Sequence, residues 1–228
     1  MHYLKDLFYL FYPSICSNCS EQLLQNEKVI CTFCRHDLPL TNFTSYRKNK
    51  VSAIFFGRVT IEKAYSLLLF RKENITKNLI HDLKYKGNEA VGIFFGNWLG
   101  EVLMKNKEFS TVDIIVPVPI HLKKKKIRGY NQVTKFGERL STYLNIPFIE
   151  DVLVRQSSTK TQTLKARFDR FNDLETKFLV TDTTLFKGKH VLIIDDVITT
   201  GATLEACARA LLKTPDIKIS VLTMAYTE

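Results

Sequence analysis

The sequence contains no run of about 20 apolar residues, the length a helix needs to cross a bilayer, so no membrane-spanning helix is expected. Its N-terminal apolar stretch, residues 7–12 (LFYLFY), is far shorter and lies between Lys5-Asp6 and Pro13. No small-residue cleavage site of a secretory leader accompanies it. The expectation is a short helix packed on the protein, and a cytoplasmic location. Two nucleotide signatures are also missing. Without G-x-x-x-x-G-K-[ST] a triphosphate loop is excluded, and without G-x-G-x-x-G a dinucleotide fold is excluded. Acidic residues are in the minority, 23 against 33 lysines and arginines, for a net charge of +10. That balance favours an anionic partner: a phosphorylated metabolite, a nucleic acid, or both. Neither an internal repeat nor a low-complexity segment occurs. With 228 residues, 45% of them hydrophobic and 25% charged, the chain suffices for one well-buried domain and a small appendage.

Cysteine is sparse, but its placement is not random. Four of the five cysteines form two C-x2-C pairs, Cys16/Cys19 and Cys31/Cys34, separated by eleven residues. In a chain with no export signal such pairs favour metal over disulfides. The spacing is that of a zinc ribbon, in which each pair sits on a tight knuckle and four thiolates close a tetrahedral site. A full sulfur set leaves no open coordination position, so the zinc is expected to be structural, and a module this small would draw much of its folding free energy from it. His36 is read as a surface residue. Cys207, at apolar spacing with Leu204 and Leu211, is read as a small buried hydrophobe. Residues 1–50 are therefore expected to form a zinc-ribbon module and residues 51–228 a second domain, with the polar stretch 44–50 (TSYRKNK) as a linker.

From residue 51 onward short apolar runs alternate with amphipathic stretches. Strands are expected at 64–70, 113–120, 190–197 and 217–225, and helices at 75–85, around Trp98, at 130–144 and at 204–213. Strands alternating with helices imply crossovers and a mostly parallel sheet, an α/β fold.

The chemistry concentrates after the strand at 190–197. A continuous apolar run, residues 191–194, leads into Asp195 and Asp196, then Val197-Ile198, then Thr199, Thr200, Gly201, Ala202 and Thr203, and a helical pattern starts directly afterwards. Ligands of open α/β sheets sit beyond the carboxyl ends of strands, and a helix N-terminus offers unpaired N–H groups to a phosphate. Gly201 admits the anion close to the backbone, and the threonines add hydroxyl donors. The two aspartates are poor phosphate partners but good acceptors for sugar hydroxyls. Donors and carboxylates side by side describe a sugar phosphate.

Three further segments carry positive charge. Lys84 and Lys86 lie in HDLKYKGN, residues 81–88. Lys123, Lys124, Lys125, Lys126 and Arg128 follow the strand at 113–120, in HLKKKKIRGYNQ. Lys160, Lys165, Arg167 and Arg170 lie in residues 158–170, a polar stretch long enough for a lid. The lysine run reads as a solvated loop beside the ligand cleft. Its cations could stabilise a leaving pyrophosphate, or contact nucleic-acid phosphates while Tyr130 stacks a base. His81 and His121 read as ordinary surface or packed histidines.

The segment VLIIDDVITTGATL resembles the phosphoribosyl pyrophosphate signature of type I phosphoribosyltransferases. The resemblance implies that Asp195 and Asp196 contact the ribose 2- and 3-hydroxyls and that the loop from Thr199 to Thr203 holds the 5-phosphate, with Mg²⁺ carried by the ligand. Over essentially its whole length the chain is similar to the ComF family of competence-associated, phosphoribosyltransferase-like proteins, through the four-cysteine ribbon, LKYKGN, PVPIHLKKKKIRGYNQ, TQTLKARFDR and the C-terminal signature, in that order. RGYNQ matches the family's R-G-[FY]-N-Q element; one turn after Arg170, where the family has asparagine, this chain has Asp173. The resemblance implies a ribbon in place of the usual acceptor-selecting hood and a role in uptake of transforming DNA. Implied partners are phosphoribosyl pyrophosphate, single-stranded DNA, and a DNA-uptake helicase or recombination protein. Two functions stay open: ligand binding that supports DNA handling, and an active phosphoribosyltransferase of nucleotide or amine metabolism with no DNA role.

Overall fold

The computed structural model describes residues 12–156 and 178–228. The apolar residues 7–11, the basic stretch 158–170 and Asp173 lie outside the described residues. The described residues begin with the two cysteine knuckles and a short helix, α1 (Thr32–His36), then α2 (Lys50–Ala53), β1 (Lys63–Phe70), α3 (Ile75–Tyr85) and α4 (Ala90–Asn106). After these come β2 (Ile114–Pro117), α5 (Leu122–Arg128), α6 (Thr134–Leu144), the short strands β3 (Leu153–Arg155) and β4 (Phe178–Val180), and β5 (His190–Ile198). The chain closes with α7 (Ala202–Leu211) and β6 (Lys218–Thr227).

Four strands form one sheet in the order β1-β6-β5-β2, every pair parallel. Such a sheet must be covered on both faces, which is why β5 and β6 are almost wholly buried. Alternation along β5 sorts its side chains. Leu192 and Ile194 join Phe95 and Leu99 of α4 and Phe136 and Leu140 of α6, while Val191 and Ile193 join Leu204, Cys207 and Leu211 of α7. The second of these clusters accommodates Cys207 as a fully buried thiol, raised well above its ordinary value by burial. On the first face α4 and α6 approach closely at Gly96 and Gly100. A Cβ there would lie 2.6 Å from Arg139 Cβ and 2.6 Å from Tyr143 Cγ.

The helix boundaries follow local chemistry. The Asn74 side chain accepts from Lys77 N and starts α3, and Gly87 at φ +70° follows its end. Asn49 caps α2 through a capping box with Ser52.

Two segments differ from the sequence expectation. The lysine run is a helix, α5, rather than a loop. His121 accepts from Lys123 N at 3.1 Å, Gly129 ends the helix at φ +84°, and no residue of the helix is buried. Lysine is an adequate helix former, so a cap and a left-handed stop suffice to define about two turns that hydropathy reads as loop. The stretch 44–50 is docked on β1 rather than freely linking. Tyr46 is buried with its ring centre 4.7 Å from that of Tyr65, and Asn49 Nδ2 donates to Ala64 O at 2.7 Å.

The cysteine module shares the first core cluster, since Val29, Ile30 and Leu38 pack with Leu68, Leu79 and Leu83. Its Arg35 lies over the rings of Phe94 and Trp98 on α4, 5.9 and 5.2 Å from their centres. Asn78 of α3 donates to Asn18 Oδ1 at 2.9 Å, and Asn88 donates to Ser17 Oγ at 3.2 Å.

Candidate functional site

Because β2 ends at Pro117, opposite Ile194, the next two residues of β5 emerge beyond one neighbouring strand while β6 still accompanies them. This places Asp195 and Asp196 at a crevice at the carboxyl end of the sheet, where α/β folds take their ligands. Their carboxylates part. Asp195 lines a cavity of about 50 Å³ together with Val197, Ile198, Thr199, Thr200, Gly201, Ala202, Thr203 and Leu204. Asp196 turns to α3, where Lys84 Nζ lies 2.8 Å from its Oδ1. Burial, followed by the neighbouring Asp196 charge, pushes the Asp195 carboxyl well above the ordinary carboxylate range; the Asp196 N–H and Lys84 act the other way and do not compensate. Asp196 is 3% exposed, and its Oδ2 has no hydrogen-bond partner among the described residues. An orphaned carboxylate oxygen is costly.

Gly201, at φ +74°, starts α7 without any side-chain cap, so the first N–H groups of a ten-residue helix stay open to an anion. Thr200 Oγ1 approaches Ala202 N only at 3.5 Å. A Cβ on Gly201 would lie 2.5 Å from Ile54 Cγ2, so glycine is required here for packing as well as conformation. The segment after α2 also carries Arg58, whose Nη1 donates to Thr200 O at 2.8 Å and to Ile54 O at 3.1 Å. Arg58 pairs with Glu205 of α7, which Arg209 holds at 2.8 Å. Burial alone would raise the Glu205 carboxyl, but the two guanidiniums outweigh it and lower it. The Glu205–Arg209 pair is readable at i,i+4 spacing. Arg58, 142 residues from Thr200, has no such signal.

Among the described residues, the basic residues of the 81–88 and 121–132 segments lie outside the loop cavity. Lys86 is tied to Asp82 at 2.9 Å, and Lys123, Lys124, Lys125 and Lys126 stand exposed on α5. Arg128 bonds Gln132 and sits over the Tyr85 ring. Tyr130 is half-buried and donates its hydroxyl to Leu83 O. His81 rests against Tyr85, and His121 caps α5.

The four cysteines come together. All four Sγ atoms lie within 4.8 Å of one another, with Cys19 and Cys31 at 3.7 Å. Tetrahedral zinc with sulfur at about 2.3 Å requires S–S edges of about 3.8 Å, so the set fits that metal. Backbone N–H groups point at the sulfurs: Cys31 N to Cys16 Sγ at 3.4 Å and Cys34 N to Cys31 Sγ at 3.5 Å. Asn18 Nδ2 reaches Cys34 Sγ at 3.2 Å. Burial raises the Cys16 thiol, yet the N–H groups of Cys19, Cys31 and Asn18 prevail and bring it to about 7. Cys34, where burial dominates, stands at about 12. Glu27 braces the second knuckle by accepting from Leu24 N at 2.9 Å and from Thr32 N at 2.6 Å. His36 turns away to Asp37 and takes no part.

The phosphoribosyl transferase domain family matches residues 134–225, from α6 to β6. Competence protein F of Haemophilus influenzae is 34% identical over 110 residues, 48% of each chain. DNA utilization protein YhgH of Escherichia coli O157:H7 is 31% identical over 153 residues, 65% of this chain and 66% of that protein. The chain thus spans about half to two thirds of the length of these relatives. A crystal structure of adenine phosphoribosyltransferase superposes with a TM-score of 0.40 at 16% identity, over 66% of this chain and 74% of that one. The parallel sheet with its acid pair and glycine-started helix is a type I phosphoribosyltransferase domain, the cysteine cluster is consistent with a zinc ribbon, and the chain belongs to the ComF family.

Proposed function

We propose that this chain binds phosphoribosyl pyrophosphate with Mg²⁺ and supports DNA uptake in natural transformation by handling single-stranded DNA. The observation that carries the ligand assignment is Asp196 Oδ2, buried without a hydrogen-bond partner among the described residues, next to a loop whose helix N–H groups are open. In this reading the N–H groups and hydroxyls of Thr199 to Thr203 hold the 5-phosphate. Asp196 accepts from one ribose hydroxyl, and Asp195, which burial keeps protonated over a wider range than a surface carboxylate, can donate as well as accept. Mg²⁺, when bound, would neutralise charge on the pyrophosphate. Lys84, now on Asp196, would share that carboxylate with the sugar. Neither Lys86 nor the α5 lysines line the loop cavity, so their charge is best assigned to a longer anion. DNA handling draws support from the +10 charge, the exposed α5 and the competence and DNA-utilization names of the relatives.

The test is the heat of binding of phosphoribosyl pyrophosphate with Mg²⁺ to the zinc-loaded chain and to Asp195→Asn/Asp196→Asn. Saturable binding lost in the double variant is the expected result. A folded wild type that gives no heat overturns the ligand assignment. Steady pyrophosphate release with an amine or base acceptor would instead establish an active transferase.

A further inference from the structure

We propose that Tyr85 is a stacking platform for the bases of a single-stranded nucleic acid whose phosphates follow α5, an assignment that rests on the strand-handling reading above. Tyr85 is the last residue of α3 and is 71% exposed. Its ring is not loose. His81, one turn earlier, lies with its ring centre 5.0 Å away, and the Arg128 guanidinium is 5.7 Å from the ring centre. A ring fixed in advance by two neighbours loses little freedom when a base settles on it. Tyr130, the aromatic residue in the basic segment itself, is spent on packing, with its hydroxyl donating to Leu83 O.

The surroundings of Tyr85 are those of a strand rather than of one nucleotide. Arg128 joins the ring to α5, whose Lys123, Lys124, Lys125 and Lys126 are all exposed. A seven-residue helix is about 10 Å long, and phosphates recur about every 3.4 Å along one strand of a duplex, so α5 offers cations to more than one phosphate. Asp82, the nearby acid on α3, is already neutralised by Lys86 at 2.9 Å. A cationic track with an aromatic face at its end accepts any base sequence and requires unpaired bases, because a duplex hides the base faces. The platform also adjoins Lys84 and hence Asp196, which places the bound strand beside the ligand crevice and outside it.

The experiment compares the zinc-loaded full chain with Tyr85→Ala, Tyr85→Phe and Lys124→Gln/Lys125→Gln by fluorescence anisotropy. The probes are an oligothymidylate, an oligomer of equal length with abasic sugars throughout, and a duplex. Wild type should bind the thymidylate about tenfold more tightly than the abasic oligomer, the scale of one stacked base. Tyr85→Ala should abolish that ratio and Tyr85→Phe should keep it. The lysine variant should weaken both single strands alike and leave the ratio intact. Equal binding of thymidylate and abasic oligomer by wild type, a ratio unchanged in Tyr85→Ala, or equal binding of the duplex would overturn the platform and leave strand handling standing. No binding of any probe would overturn both.

Discussion

Replacing Lys84 by Met tests whether the ion pair with Asp196 holds α3 against the sheet. Met keeps the apolar stem and removes the ammonium, so the loss is one of charge rather than packing. The Asp196 side chain is 5% exposed and that of Lys84 24%. Breaking a buried pair by removing one partner costs about 3–5 kcal/mol, because the remaining charge is left uncompensated. Partial exposure of Lys84 admits some water to the site and places the expectation at the lower end, about 3 kcal/mol. For a chain of this size, about 2–4 °C per kcal/mol makes that a fall of about 6–12 °C in Tm. The comparison that isolates the charge is Lys84→Met/Asp196→Asn, in which no carboxylate remains to be compensated and most of the loss should be recovered. Urea unfolding followed by circular dichroism, with zinc saturating throughout, gives all four corners of the cycle. A Lys84→Met cost below about 1 kcal/mol, the range of a surface pair, would refute the reasoning. So would a double variant no more stable than the single.

Asp195→Asn should stabilise the fold while abolishing ligand binding. The folded-state value for Asp195 is raised, so its contribution is fully present below the unfolded carboxylate value and is lost as pH rises through the folded one. The variant's advantage in Tm should therefore be small at pH 4 and grow toward pH 9; a constant difference would exclude ionisation as its source. A strong zinc chelator should lower Tm and abolish the cooperativity of the first unfolding step, because Val29, Ile30 and Leu38 belong to the core under the sheet. Cys31→Ser should reproduce the effect without chelator, and an unchanged melt in both cases would mean that the thiols alone hold the module. His190, buried with Nε2 2.8 Å from Ser220 Oγ and Nδ1 3.0 Å from Thr111 Oγ1, is lowered by burial. Stability should accordingly fall as pH drops below about 6.5, and His190→Gln should flatten that slope in urea titrations at pH 5 and 7.

The parts of this molecule that could be read from the chain are those whose physics is local. The strand that carries Asp195-Asp196, the glycine before α7 and the two cysteine knuckles all lie within a few residues of the groups they act with, and spacing reports them. What spacing could not report are side chains brought together by the sheet. Lys84 pairs with Asp196, far away in sequence, and no spacing announces the contact. Arg58 reaches Thr200 from the segment after α2. The lysine run was expected as loop because hydropathy cannot distinguish a loop from a helix that buries nothing, whereas the His121 cap and Gly129 stop were both visible in the sequence. The aromatic residue next to the lysines proved to be packed, and the exposed one arrives from a neighbouring helix.

Trp98 is the single tryptophan of the chain, and Arg35 of the cysteine module lies over its indole. The molecule therefore carries its own optical gauge. Emission excited at the indole band samples one place, the seam between the module and α4, with no competing signal from another tryptophan. Undocking of the module would remove the guanidinium and open the ring to water, shifting the emission to longer wavelength while the sheet remained folded. The same cuvette can thus report whether loss of metal frees the module or dissolves the core with it.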